Sequence, residues 1–78
     1  MGFEYKLAFA DFDPDEVNAF LRRLLAENRE VGRADFIVSL EPDGFYFCDH
    51  TRSERSSVAF RRLVDEALGY SKVVIHEL

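Results

Sequence analysis

Two runs of apolar residues at helical spacing, each bracketed by runs that alternate every second residue, decide what this chain can fold into. The first alternating run places Phe3, Tyr5, Leu7 and Phe9 against Glu4, Lys6, Ala8 and Ala10. Period two buries one face of a strand. "DFDPDE" breaks the alternation: Asp13 can cap a helix, Pro14 suits its first position, and Glu16 stands where a capping box wants a carboxylate. Val17, Phe20, Leu21, Leu24 and Leu25 then form one stripe, with Asp15, Asn18, Arg22, Arg23 and Glu27 opposite. Gly32 ends that helix or the loop after it.

Ala34, Phe36, Val38 and Leu40 alternate again, against Asp35, Ile37, Ser39 and Glu41. "EPDG" predicts a hairpin turn, because Pro42 presets φ, Asp43 tolerates the next position and Gly44 accepts positive φ. Phe45 to Asp49 returns as the partner strand. Thr51 or Ser53 caps a second helix, whose stripe is Phe60, Leu63, Val64, Ala67 and Leu68, with Gly69 closing it. "KVVIHE", Lys72 to Glu77, is a last strand.

The order is β-α-β-β-α-β with short connections, the split βαβ or ferredoxin-like α+β arrangement: a four-stranded antiparallel sheet with two helices on one face. The first and third strands take the centre, the fourth pairs with the first, and the second with the third. Residues 1–78 make one domain, whose 47% hydrophobic content suffices for a small core.

This topology sorts the residues onto two faces. The helix side takes Phe3, Tyr5, Leu7, Phe9, Phe36, Val38, Phe45, Phe47, Val73 and Ile75. The open side takes Glu4, Lys6, Ala8, Ile37, Ser39, Tyr46, Cys48, His50, Val74 and His76. Ala8, Ile37, Tyr46, Cys48 and Val74 make that open face partly apolar, which suits a contact surface. Lys6 and Ser39 complete the expected interaction face, and an ordinary wet sheet face is the alternative.

Charge narrows the partners. A formal net charge of −5 argues against nucleic acid, whose phosphates select clustered Lys and Arg. It is compatible with a basic protein partner, such as a bacterial toxin, or with a second copy of the chain. Along the molecule, the first loop, the hairpin turn with Glu41 and Asp43, and Lys72 share one end. Arg29, Arg33, Arg52 and Arg55 share the other. Cys48 is the only cysteine, which excludes an intrachain disulfide and fits a reducing compartment. With neither a signal peptide nor a bilayer-length apolar run, the expected location is the cytoplasm and no membrane partner is expected.

Three groupings are candidates for chemistry. Glu4, Cys48, His50 and His76 share the open face, and the topology predicts that both histidines lie near the start of the first strand, beside Glu4. Zinc accepts such ligands, yet no C-x-x-C or H-x-x-x-H spacing supports a site, so no metal or other cofactor is favoured. Thr51, Arg52, Ser53 and Arg55 precede a helix start and suit a phosphate or carboxylate, with plain capping the competing use. Asp11, Asp13 and Asp15 alternate like the start of a calcium loop, but Glu16 and Arg22 occupy the places that need Gly and Glu. A nucleophilic Cys48 needs an oriented base, and Asp49 points to the other face. No set of catalytic roles assembles, so the sequence reads as a non-catalytic interaction module, with a small-ligand, anion or metal sensor as the alternative.

Overall fold

A computed structural model describes residues 2–27 and 35–78. Six elements follow in the expected order: β1 (Phe3–Ala8), α1 (Pro14–Glu27), β2 (Phe36–Glu41), β3 (Gly44–Asp49), α2 (Glu54–Leu68) and β4 (Val74–Glu77). The strands form one antiparallel sheet in the order β2-β3-β1-β4. Gly32, Ala34, Arg29 and Arg33, which figure in the sequence reading, lie outside the described residues.

The register confirms the parity of every strand. Tyr5 and Leu7 stand opposite Phe47 and Phe45 on β3, and these stand opposite Val38 and Leu40 on β2. Residues directly opposite share a face, so one apolar surface runs across three strands. Both helices lie on it. Leu7, Phe45 and Phe47 join Val17, Phe20, Leu21 and Leu24 of α1 and Ala59, Leu63 and Ala67 of α2 in one buried cluster. Two strings of aromatic rings cross it. Phe36, Phe47, Phe60 and Tyr5 are linked at centroid distances of 5.4, 5.3 and 5.2 Å. Phe20, Phe45, Phe9 and Phe12 are linked at 6.4, 5.0 and 4.7 Å. Glu27 pairs with Arg62 to tie α1 to α2.

The caps explain where the elements stop. Asp13 Oδ1 accepts the Asp15 N–H at 2.9 Å and the Asp13 carbonyl accepts the Val17 N–H, so α1 begins at Pro14. Glu16 accepts the Tyr70 hydroxyl instead of closing a capping box. Ser53 caps α2 in an extended conformation, its Oγ accepting the Ser56 N–H at 3.1 Å. Gly69 closes α2, but with a right-handed φ of −67°. The last turn tightens instead, with the Gly69 and Tyr70 N–H groups reaching back three residues to Glu66 and Ala67.

Gly44 is required where it stands. Its φ is +148°, and a Cβ there would run into the Leu7 carbonyl oxygen of the neighbouring strand.

Four apolar positions depart from the expected core. Leu25 and Leu68 sit at the margins of their stripes and are exposed. Phe3 is on the helix side but 44% exposed, with the Arg52 guanidinium 4.3 Å above its ring. Ile75 has the predicted parity, opposite Leu7, and is nevertheless 49% exposed. The reason is lateral: Phe60 of α2 packs on Tyr5 and Phe47, over β1 and β3, and leaves β4 uncovered.

Candidate functional site

The open face resolves into three rows. Ile37, Cys48 and Glu4 stand level across β2, β3 and β1. Ser39, Tyr46, Lys6 and His76 form the middle row across all four strands, and Glu41, Gly44, Ala8 and Val74 form the third. The expected interaction residues therefore do share one surface. Its apolar members do not form one patch, because exposed Ile37 and Val74 occupy opposite corners.

Polar pairing fills the space between them. The Tyr46 hydroxyl donates to Glu4 Oε1 at 2.7 Å. This bond to a carboxylate holds the Tyr46 phenol well above its ordinary range, with partial burial adding to the shift. Lys6 reaches toward the hairpin, pairing with Glu41 and with Asp43 Oδ1, the latter at 2.5 Å. The two carboxylates, Asp43 foremost, raise the Lys6 ammonium above its usual value, and Lys6 in turn depresses Asp43. The acidic hairpin end is thus partly neutralised from within.

Cys48 is a packing residue. It is buried although it belongs to the open face, because the chain at Gly2 lies against its Sγ so closely that a Cβ at Gly2 would collide with it. The expected gathering of Glu4, Cys48, His50 and His76 does not form. His76 stands opposite Lys6, one pleat away from the Glu4 row, and His50 lies beyond Asp49 in the other direction, beside Gly2. Among the described residues no three His, Cys, Asp or Glu side chains come together as a metal site requires.

The side chains of residues 51–56 make contacts in different directions. Asp49 Oδ1 accepts the N–H groups of Thr51 and Arg52 at 3.2 and 2.8 Å, holding Arg52 at a left-handed φ of 53°. That reversal sends Arg52 toward Phe3, whereas Arg55 Nε lies 3.9 Å from Asp35 Oδ2. The Ser53 and Ser56 hydroxyls are 3.0 Å apart, and the Ser53 oxygen already serves as the cap. Each of the four side chains thus has a local partner, Thr51 Oγ1 standing 3.4 Å from Ser56 Oγ.

The strongest surface feature is the outer edge of β4. Its four residues are all exposed, with Val74 and Ile75 near one-half and the following Leu78 at 67%. Among the described residues β4 pairs with β1 alone. Leu78 donates its N–H to the Glu4 carbonyl. By the alternation of an antiparallel ladder, the backbone groups of Ile75 and Glu77 then point away from β1. Sequence parity assigned Ile75 to a covered face and gave no sign that the cover is missing.

No helix among the described residues is long and apolar enough to cross a membrane. No protein-family model, curated protein or solved structure matches the chain.

Proposed function

We propose that the chain is a non-catalytic interaction module that pairs with a second copy of itself along β4, extending the sheet and its open face across the pair. The observation that carries this reading is an edge strand exposed on both faces and bearing Val74, Ile75 and, just beyond, Leu78. Such an edge is a template for another strand.

Self-pairing is favoured by the strand's own symmetry. A two-fold axis normal to the sheet at Ile75 sets Ile75 of each copy opposite the other, and Val74 of each opposite His76 of the other. This register uses the outward backbone groups of Ile75 and keeps both open faces on one side. The local charges suit it as well: Lys72 and Glu77 offset each other on an otherwise acidic chain. For a heterologous acidic-module role, binding a basic protein, Lys6 already engages the hairpin carboxylates and leaves the exposed Asp11 and Asp15 of the first loop as its surface.

Sedimentation equilibrium tests the reading. Wild-type protein should be a dimer. Ile75→Pro should be a folded monomer, since the N–H it removes faces outward and proline is tolerated at such edge positions. Val74→Pro, whose N–H faces β1, should instead unfold or lose the strand. A wild-type monomer at concentrations approaching roughly 1 mM, where even a 4 kcal/mol association would register, overturns the proposal.

A further inference from the structure

A cleft of about 670 Å³ opens on the helix side, beside α2 where it lies over β3 and β1, and reaches the uncovered β4 at Ile75. This lies within the roughly 300–1,000 Å³ typical of small-ligand sites. Its lining has two chemically distinct parts. Tyr5 and Ile75 line it from the sheet and Phe60 and Val64 from α2, and these four make an apolar body. Tyr5 and Phe60 already meet edge to face, so an aromatic surface is formed before any ligand enters. The polar part holds two guanidinium groups, Arg52 and Arg61, and the Asp49 carboxylate.

The cations are available to a ligand to different degrees. Arg52 lies over Phe3, beside Asp49, which lines the cleft and accepts the N–H groups of Thr51 and Arg52 at Oδ1, so the anion site is placed at Arg61 and away from this carboxylate. Arg61 is exposed and forms no ion pair among the described residues. Ser57 stands one helical turn before Arg61 on the same side of α2 and adds a hydroxyl to the rim. An apolar aromatic slot ending in an unpaired guanidinium is complementary to one class of molecule, a small planar organic carboxylate.

We infer that this cleft binds an aromatic monocarboxylate, its ring against Tyr5, Phe60 and Val64 and its carboxylate on Arg61. Arginine matches a carboxylate with two parallel N–H donors, and that fork supplies the orientation. The inference does not require the pairing proposed above, because Arg61, Phe60 and Val64 belong to α2 of one copy, although Ile75 takes part in both.

The test uses naphthoate as the probe, titrated into uniformly 15N-labelled chain and followed by amide chemical shifts. Saturable shifts should centre on Tyr5, Ser57, Arg61, Val64 and Ile75. Naphthylmethanol, of the same shape but uncharged, should bind about tenfold more weakly, as the loss of a charge-assisted pair implies. Arg61→Gln should weaken naphthoate by a similar factor and leave naphthylmethanol unchanged, and Arg61→Lys should recover part of the loss. Arg61 is exposed, so these variants should keep the wild-type spectrum elsewhere. Equal binding of the two probes, an unchanged affinity in Arg61→Gln, or shifts confined to the open face would each overturn the assignment.

Discussion

Glu4 and Tyr46 form a diagonal bond across the two central strands: Tyr46 stands opposite Lys6, Glu4 opposite Cys48, and the Tyr46 hydroxyl reaches across to Glu4 Oε1 at 2.7 Å. Both side chains are on the open face, and the bond joins the Lys6 pairs with Glu41 and Asp43 in holding that surface together.

The bond predicts the behaviour of the protein in alkali. Tyr46 is raised above its ordinary 10.0, chiefly by the bond to Glu4, and Tyr70 is pushed up to about 12 by burial and by its bond to Glu16. A raised pKa in the folded state means that the associated stability is complete below about pH 10 and is lost as pH climbs through the folded value. Phenolate absorbance should therefore show both groups ionising late. Glu4→Gln should bring Tyr46 down toward its ordinary value while Tyr70 stays high. If Glu4→Gln leaves the whole titration curve unchanged, the Glu4 carboxylate is not what holds the Tyr46 proton.

The ion pairs of Lys6 set a second pH window. Lys6 is raised above its ordinary 10.5, so its contribution is present in full below that value and fades above it. Asp43 is depressed below its ordinary 3.8, so its contribution is present above that value and fades as pH falls through the lowered one. Thermal midpoints should form a plateau between these limits. Asp43→Asn should flatten the acid side, and added salt should shrink the difference, because Asp43 is largely exposed.

Gly44→Ala should be among the most damaging conservative changes. The new methyl meets the Leu7 carbonyl, and the backbone at φ +148° is hostile to any L side chain. Strain and steric clash together should cost about 3 kcal/mol or more in urea unfolding. A loss near 0.5 kcal/mol would show that the β1–β3 pair can shift to make room.

Ser53→Ala removes the cap of α2 and should cost about 1 kcal/mol. Ser53→Asp should preserve the cap, since a carboxylate also accepts the Ser56 N–H and favours a helix start. Because Arg52 and Arg55 diverge, inorganic phosphate should not restore stability to Ser53→Ala beyond its effect on wild type. A selective rescue would show that the two arginines can close on an anion after all.

The architecture was legible because its signals are local. The Phe3-to-Phe9 alternation, the Pro42–Gly44 turn and the two five-residue stripes each depend on a few neighbouring residues, and together they admit one pairing order. Parity then put Glu4, Lys6, Ala8, Ile37, Ser39, Tyr46, Val74 and His76 on one face, with Cys48 buried on it and His50 beyond the ladder. What stayed hidden depends on how far elements slide over one another. Ile75 has inward parity, but parity is silent about whether α2 reaches over β4. The Glu4, Cys48, His50 and His76 grouping failed on register: His76 pairs with Lys6, and one pleat is enough to separate would-be ligands. Arg52 and Arg55 are neighbours in sequence and part in space because a single left-handed residue turns the chain between them. Arg61 looks on a helical wheel like an ordinary solvated arginine. Only the packing of α2 over β3 and β1 makes it part of a cleft.

The placement of Gly2 against Cys48 gives the molecule a clock. The chain has one thiol, and that thiol is shut beneath the leading end of β1. A thiol-specific reagent should react chiefly when that end lifts, so the rate of modification, compared with that of the unfolded chain, counts the openings of the leading end of β1. Ligand added to the cleft on the helix side, or a second copy seated on β4, should slow the clock to the extent that it holds β1 in place.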